Sequence, residues 1–98
     1  MNELIENQLS GELETTSKEW RTIWINGESH QTEVRFCGED DHNEYYAVYL
    51  RGEGCYGVSR KNFERIQEAI CRGAKFVRIN DDLVNVNEIR RFKKLDKF

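Results

Sequence analysis

The chain contains no proline, so nothing in it stiffens a long loop or marks a rigid linker between domains. It has no apolar run near the roughly 20 residues that a membrane-crossing helix needs. The opening stretch MNELIENQLSGELE is acidic and lacks both the basic start and the apolar centre of a secretory signal. These absences predict a cytoplasmic chain with no membrane partner. Three cysteines, Cys37, Cys55 and Cys71, are an odd number and include no C-x-x-C pair. That spacing argues against a disulfide framework and against a structural zinc site.

Catalytic signatures are missing as well. There is no phosphate-cradling G-x-x-x-x-G-K-[ST] loop, no G-x-G-x-x-G and no G-x-S-x-G. His30 and His42 have no nucleophile fixed beside either of them. A pairing of Cys37 with His42 competes with the ordinary state of a thiol as a small hydrophobe. The acidic loop GEDDHNE, residues 38–44, offers Asp40, Asp41, His42 and Glu44 to a cation. Its spacing matches neither the EF-hand calcium loop nor an H-E-x-x-H zinc helix. The expectation is a protein without enzymatic activity, cofactor or metal.

What is present is aromatic and charged. Five Phe, four Tyr and two Trp in 98 residues supply a core, against 34% charged residues. One domain fits this length, hiding roughly 60–65% of its unfolded surface. Charge is split along the chain. Residues 1–50 hold three Lys/Arg against eleven Asp/Glu, a net of −8, and residues 51–98 hold twelve against seven, a net of +5. Such a chain can compensate itself, pair with a copy of itself, or offer its basic half to phosphate.

Hydropathy patterns divide the chain into an acidic N-terminal segment, residues 1–18, and a single α+β domain, residues 19–98. In the first, Ile5, Leu9 and Leu13 share one helical face, but Gly11 and Thr15-Thr16 interrupt it. It reads either as a flexible tail or as a docking helix. Asn26-Gly27 then signals a two-residue hairpin turn with positive φ at both positions. The second arm alternates, His30, Thr32, Val34 and Phe36 against Ser29, Gln31, Glu33 and Arg35. A competing helix from Leu13 to Trp24 also fits the spacing of Leu13, Trp20, Ile23 and Trp24. The hairpin sets Ile25 opposite Glu28 and Ile23 opposite His30. Ile23 and Ile25 then join Val34 and Phe36 on the core side, with Trp20 and Trp24 on the other. A loop of odd length would send the indoles inside instead.

YYAVYL (45–50) and CYGVS (55–59) read as paired strands. SRKNFERIQEAICRG reads as a helix at about 60–72, capped by Ser59, ended by Gly73, and carrying the stripe Phe63, Ile66, Ala69 and Ile70. KFVRI, a tight loop at Asp81-Asp82, a short strand or bridge through Leu83, Val84 and Val86, and the strand EIRRFKKL follow. Fold class is therefore α+β, mainly antiparallel sheet: an N-terminal hairpin, then β-β-α-β-β, with the helix covering one sheet face.

Residues 58–92 resemble the C-terminal half of LytTR-type DNA-binding domains. The matching positions are Phe63, Phe76, Arg78, Ile79, Val84, Asn85, Val86 and Ile89. Similar units also look typical of small proteins of Gram-positive bacteria and their phages. The resemblance implies a transcription factor that contacts nucleic acid through Arg78, Arg90, Arg91, Lys93 and Lys94. One departure opposes this: Asn80-Asp81-Asp82 stands where the family commonly has a basic residue, and carboxylates repel phosphate. Lys and Arg on an edge strand also serve simply to block sheet-to-sheet aggregation. The leading expectation is a small regulatory protein, phage-encoded in type, that works by protein–protein contact. Its partner-binding residues are Trp20, Trp24, Tyr45 and Tyr46, with homodimerisation through sheet edges or the N-terminal segment as an accompanying mode.

Overall fold

The computed structural model describes residues 15–41, 44–52 and 54–95. The Ile5-Leu9-Leu13 stripe and His42 lie outside them. Strand β1 (Ser17–Ile25) and strand β2 (Glu28–Phe36) form the expected hairpin. Asn26 and Gly27 both take positive φ, 51° and 82°, the mirror-image turn whose twist matches that of paired strands. The register is the one that turn dictates, with Ile25 opposite Glu28, Ile23 opposite His30 and Trp20 opposite Glu33. β1 begins at Ser17, so two residues assigned above to the N-terminal segment belong to the ladder.

A short 3-10 turn, Glu39–Asp41, leads to β3 (Tyr45–Leu50), β4 (Cys55–Ser59) and helix α1 (Arg60–Cys71). Ser59 caps α1, its hydroxyl accepting from the Asn62 N–H, and Gly73 follows with φ 87°. Then come β5 (Phe76–Ile79), β6 (Asp82–Asn85), a 3-10 turn at Val86–Glu88 and β7 (Ile89–Leu95). The class is α+β, as expected. The stretch read above as a short strand or bridge is a full strand, so three strands rather than two follow the helix. The loop between β5 and β6 is Asn80-Asp81, again two residues with positive φ.

Sheet pairing is antiparallel throughout: β1-β2, β4-β3-β7 and β5-β6. The three-stranded sheet is the middle layer. On one side lie Tyr45, Ala47 and Tyr49 of β3, meeting Ile23, Val34 and Phe36 from the hairpin. On the other side Tyr46, Val48, Leu50 and Val58 meet Ile66 of α1 and Val77, Ile79 and Val84 of β5-β6. A strand covered on both faces reads as a continuous apolar run rather than as an alternation, which is why YYAVYL has no polar partner positions. The tight approach of the hairpin depends on Gly57 in β4: a Cβ there would lie 2.8 Å from Val34 Cγ2 and 2.9 Å from Thr32 Cγ2. The Gly57 N–H donates to Thr32 Oγ1 at 2.9 Å.

Polar side chains fasten the layers. The Asn62 amide donates to the Arg35 carbonyl at 3.1 Å and the Asn80 amide to the Glu33 carbonyl at 2.7 Å. Both carbonyls therefore point away from β1, and the outer edge of β2 is covered. Asp41, 1% exposed, accepts from the Cys37 N–H at 2.8 Å and the Lys61 N–H at 3.0 Å. Lys61 lies in the first turn of α1, where backbone donors have no partner inside the helix.

Candidate interaction surface

The two-residue turn fixes which side chains leave the core. Side chains alternate along a strand, so Lys18, Trp20, Thr22 and Trp24 of β1 share the outer face with Ser29, Gln31, Glu33 and Arg35 of β2. Trp20 is 68% exposed and Trp24 65%. Their cross-strand partners, Glu33 and Ser29, are polar or too small to cover an indole. The two Trp Cα atoms lie roughly 13 Å apart, at about 3.3 Å per residue. Between them the Gln31 side-chain amide donates to Thr22 Oγ1 at 3.1 Å. At the far end Arg35 holds Glu33 and, with two further bonds, Asp81 from the β5-β6 turn. That pairing raises the Arg35 guanidinium further and holds the Asp81 carboxyl below its usual range, the hydrogen bond being the main cause in each case.

The predicted partner-binding set is only half assembled. Tyr45 is 5% exposed, with the Arg21 guanidinium 5.1 Å from its ring centre. Tyr46 points to the opposite side of the sheet and stacks on Phe63 at 4.0 Å, interplanar angle 9°. Neither tyrosine lies with the indoles, because β3 is the covered middle strand and its successive residues face opposite layers.

The predicted nucleic-acid set is also divided. Arg90, Arg91, Lys93 and Lys94 are all exposed on β7, an edge of the three-stranded sheet. Arg91 lies over the Tyr49 ring at 4.7 Å, while Lys94 reaches Glu44 at 3.7 Å on the helix side. Arg78 belongs to a different sheet, β5-β6. The acidic turn that departs from the LytTR pattern is engaged internally: Asp81 with Arg35, and Asp82 accepting from the Tyr56 hydroxyl. Burial and that bond push the Tyr56 hydroxyl up to about 12.

Among the described residues, no group of three or more His, Cys, Asp or Glu side chains converges as a metal site. In the acidic loop, Asp40 pairs with Lys61 at 3.0 Å and Asp41 serves the backbone. Cys37 is half-buried, and burial pushes its thiol up, away from the thiolate a nucleophile requires. An open cleft of about 300 Å³ lies between the hairpin tip and the central sheet, with Glu28, His30, Tyr49 and Arg90 in its wall.

The sequence reading missed a second exposed apolar pair. Phe76, 52% exposed, and Leu83, 64% exposed, sit on the outer face of β5-β6 beside Arg78, while Val77, Ile79 and Val84 turn inward. Strand parity alone carried that signal.

No family model, curated protein or solved structure matches this chain.

Proposed function

We propose that this chain is a small non-enzymatic binding and regulatory protein whose protein partner docks on the outer face of the β1-β2 hairpin. The observation that carries the reading is the joint exposure of Trp20 and Trp24 on a sheet whose other face packs Ile23, Val34 and Phe36 into the core. Tryptophan is enriched at the energetic centres of protein contacts, because a rigid indole offers large area for little lost freedom. Water-exposed indoles contribute little to folding, so this face has two large apolar side chains that a contact would bury. Tyr45 and Tyr46 act as core supports in this reading. The test is a comparison of partners captured from the source cells by the unaltered chain and by W20A/W24A. The expected result is at least one partner lost with the double variant and at least tenfold weaker binding once it is purified. A double variant that retains every partner refutes the proposal.

A second reading, DNA contact, draws on the four exposed Lys and Arg of β7. Gel-shift titration at two salt concentrations separates the two readings. Saturable binding to duplex that weakens steeply with salt, as counterion release demands, favours DNA.

A further inference from the structure

We propose that two copies of this chain pair antiparallel through the free edge of β1, with a two-fold axis at Thr22. The proposal concerns the strand's edge rather than its face, and it does not depend on the partner reading above.

Backbone groups along β1 alternate between facing β2 and facing outward. Glu33 and Arg35 direct their carbonyls away from β1, to the amides of Asn80 and Asn62. In an antiparallel ladder, residues opposite one another either exchange both hydrogen bonds or exchange none. Glu33 and Arg35 are therefore of the second kind, and so are their partners Trp20 and Lys18. By the same alternation Thr22 and Trp24 join them. The N–H and C=O groups of Lys18, Trp20, Thr22 and Trp24 all point out of the hairpin along β1's far edge. Among the described residues β1 has β2 as its sole strand neighbour, and these four residues are exposed.

The molecule treats its other long edges differently. Asn62 and Asn80 cover β2. β7 carries Arg90, Arg91, Lys93 and Lys94, a guarded edge of the kind that discourages pairing. The β1 edge from Trp20 to Trp24 carries no proline, no bulge and no outward charge. Its register with β2 is uninterrupted, so its outward backbone groups form a regular row.

A second copy fits this edge because the sequence around Thr22 is nearly symmetric. With the axis at Thr22, each Trp20 falls opposite the partner's Trp24, and Thr22 faces its own copy. About six backbone hydrogen bonds result from three exchanging pairs. Both indole pairs lie on the same outer face, at the cross-strand spacing where aromatic pairs attract. No like charges fall opposite one another between positions 20 and 24. The result is a four-stranded sheet, β2-β1-β1-β2, that presents four indoles on one continuous surface.

The test is sedimentation equilibrium of the full chain from the low micromolar to the millimolar range, where mass action reveals a weak dimer. Thr22→Pro removes only an outward N–H, so the internal ladder stays intact, and dimer affinity should fall at least tenfold. Thr22→Lys, which sets two ammonium groups together on the axis, should do the same and covers the case in which the proline variant fails to fold. Register is read by cysteine oxidation in a C71S background: T22C should form a disulfide-linked dimer and W20C should not. A monomer at every concentration, a dimer indifferent to Thr22→Lys, or cross-linking by W20C in place of T22C overturns the proposal. A monomeric chain that still loses its partner in W20A/W24A would sink the edge pairing and leave the partner contact standing.

Discussion

Gly57→Ala should be strongly destabilising, although the usual expectation has the opposite sign. Gly57 is not among the glycines with positive φ, which are Gly27, Gly38 and Gly73. At ordinary φ, replacing glycine by alanine stabilises by about 0.4–1 kcal/mol, because the unfolded chain loses freedom. Here the new methyl would lie 2.8 Å from Val34 Cγ2, 2.9 Å from Thr32 Cγ2 and 3.4 Å from Ile23 Cδ1. All three neighbours are buried, at 0%, 7% and 1% exposure, and the two in closest approach, Val34 and Thr32, are branched at Cβ, so neither swings aside easily. Overpacking of this kind costs about 1–3 kcal/mol. Moving Thr32 also weakens its acceptance of the Gly57 N–H, about 0.5–1.5 kcal/mol more. Set against the gain from the stiffer unfolded chain, the net loss should be roughly 1–4 kcal/mol, which lowers Tm by roughly 4–30 °C at about 4–8 °C per kcal/mol for a domain of this size. Urea unfolding measures it as a shift in midpoint at constant slope. Gly52→Ala, with nothing within 4 Å of the added methyl, is the control and should stay within about 0.5 kcal/mol. Val34→Ala in the Gly57→Ala background should give a double variant less destabilised than the sum of the two. If Gly57→Ala behaves like Gly52→Ala, the hairpin does not pack on the sheet at this point and the three-layer arrangement is wrong.

Asp41→Ala should cost about 2–6 kcal/mol in the same assay, because it strands two backbone donors, the N–H groups of Cys37 and Lys61, at about 1–3 kcal/mol each. A neutral result would mean the loop is not anchored to the start of α1. On the acid side, the Asp81 carboxyl is held below its ordinary 3.8 by Arg35. Its contribution is therefore present above that value and is lost as pH falls through the lower folded value; Asp81→Asn should flatten the acid limb of a stability–pH curve. On the alkaline side, Tyr56 is raised from 10.0 to about 12, so its contribution is complete below 10 and is lost as pH rises toward 12. Tyr56→Phe should remove that alkaline loss, and an unchanged curve would show that the hydroxyl titrates freely.

The local structure was legible where short-range chemistry decides it. Asn26-Gly27 set the hairpin register, and the register set which face carries Trp20 and Trp24. Ser59, the Phe63-Ile66-Ile70 stripe and Gly73 bounded the helix. What escaped was everything that depends on how distant pieces meet. Tyr45 and Tyr46 are adjacent in sequence yet serve opposite layers: the docked hairpin covers Tyr45, and the helix covers Tyr46 through Phe63. Asn62, Asn80 and Asp41 looked like ordinary helix, turn and loop residues, but their bonds reach 20 to 47 residues along the chain. No periodicity encodes such a reach. Phe76 and Leu83 were within reach of parity once Val77 and Val84 were placed inward, but the basic residues around them drew the functional reading to charge.

The middle sheet is roofed on both sides. Every residue of β3 is buried or half-buried, so the most aromatic strand of the molecule has nothing to say to the outside world. Among the described residues, the surface left for recognition lies on the roofs and on the exposed edge: the hairpin that holds the two indoles, the smaller hairpin with Phe76 and Leu83, the polar flank of the helix, and the basic strand β7. Change in those coverings can alter what is bound while the hidden slab beneath them stays as it is.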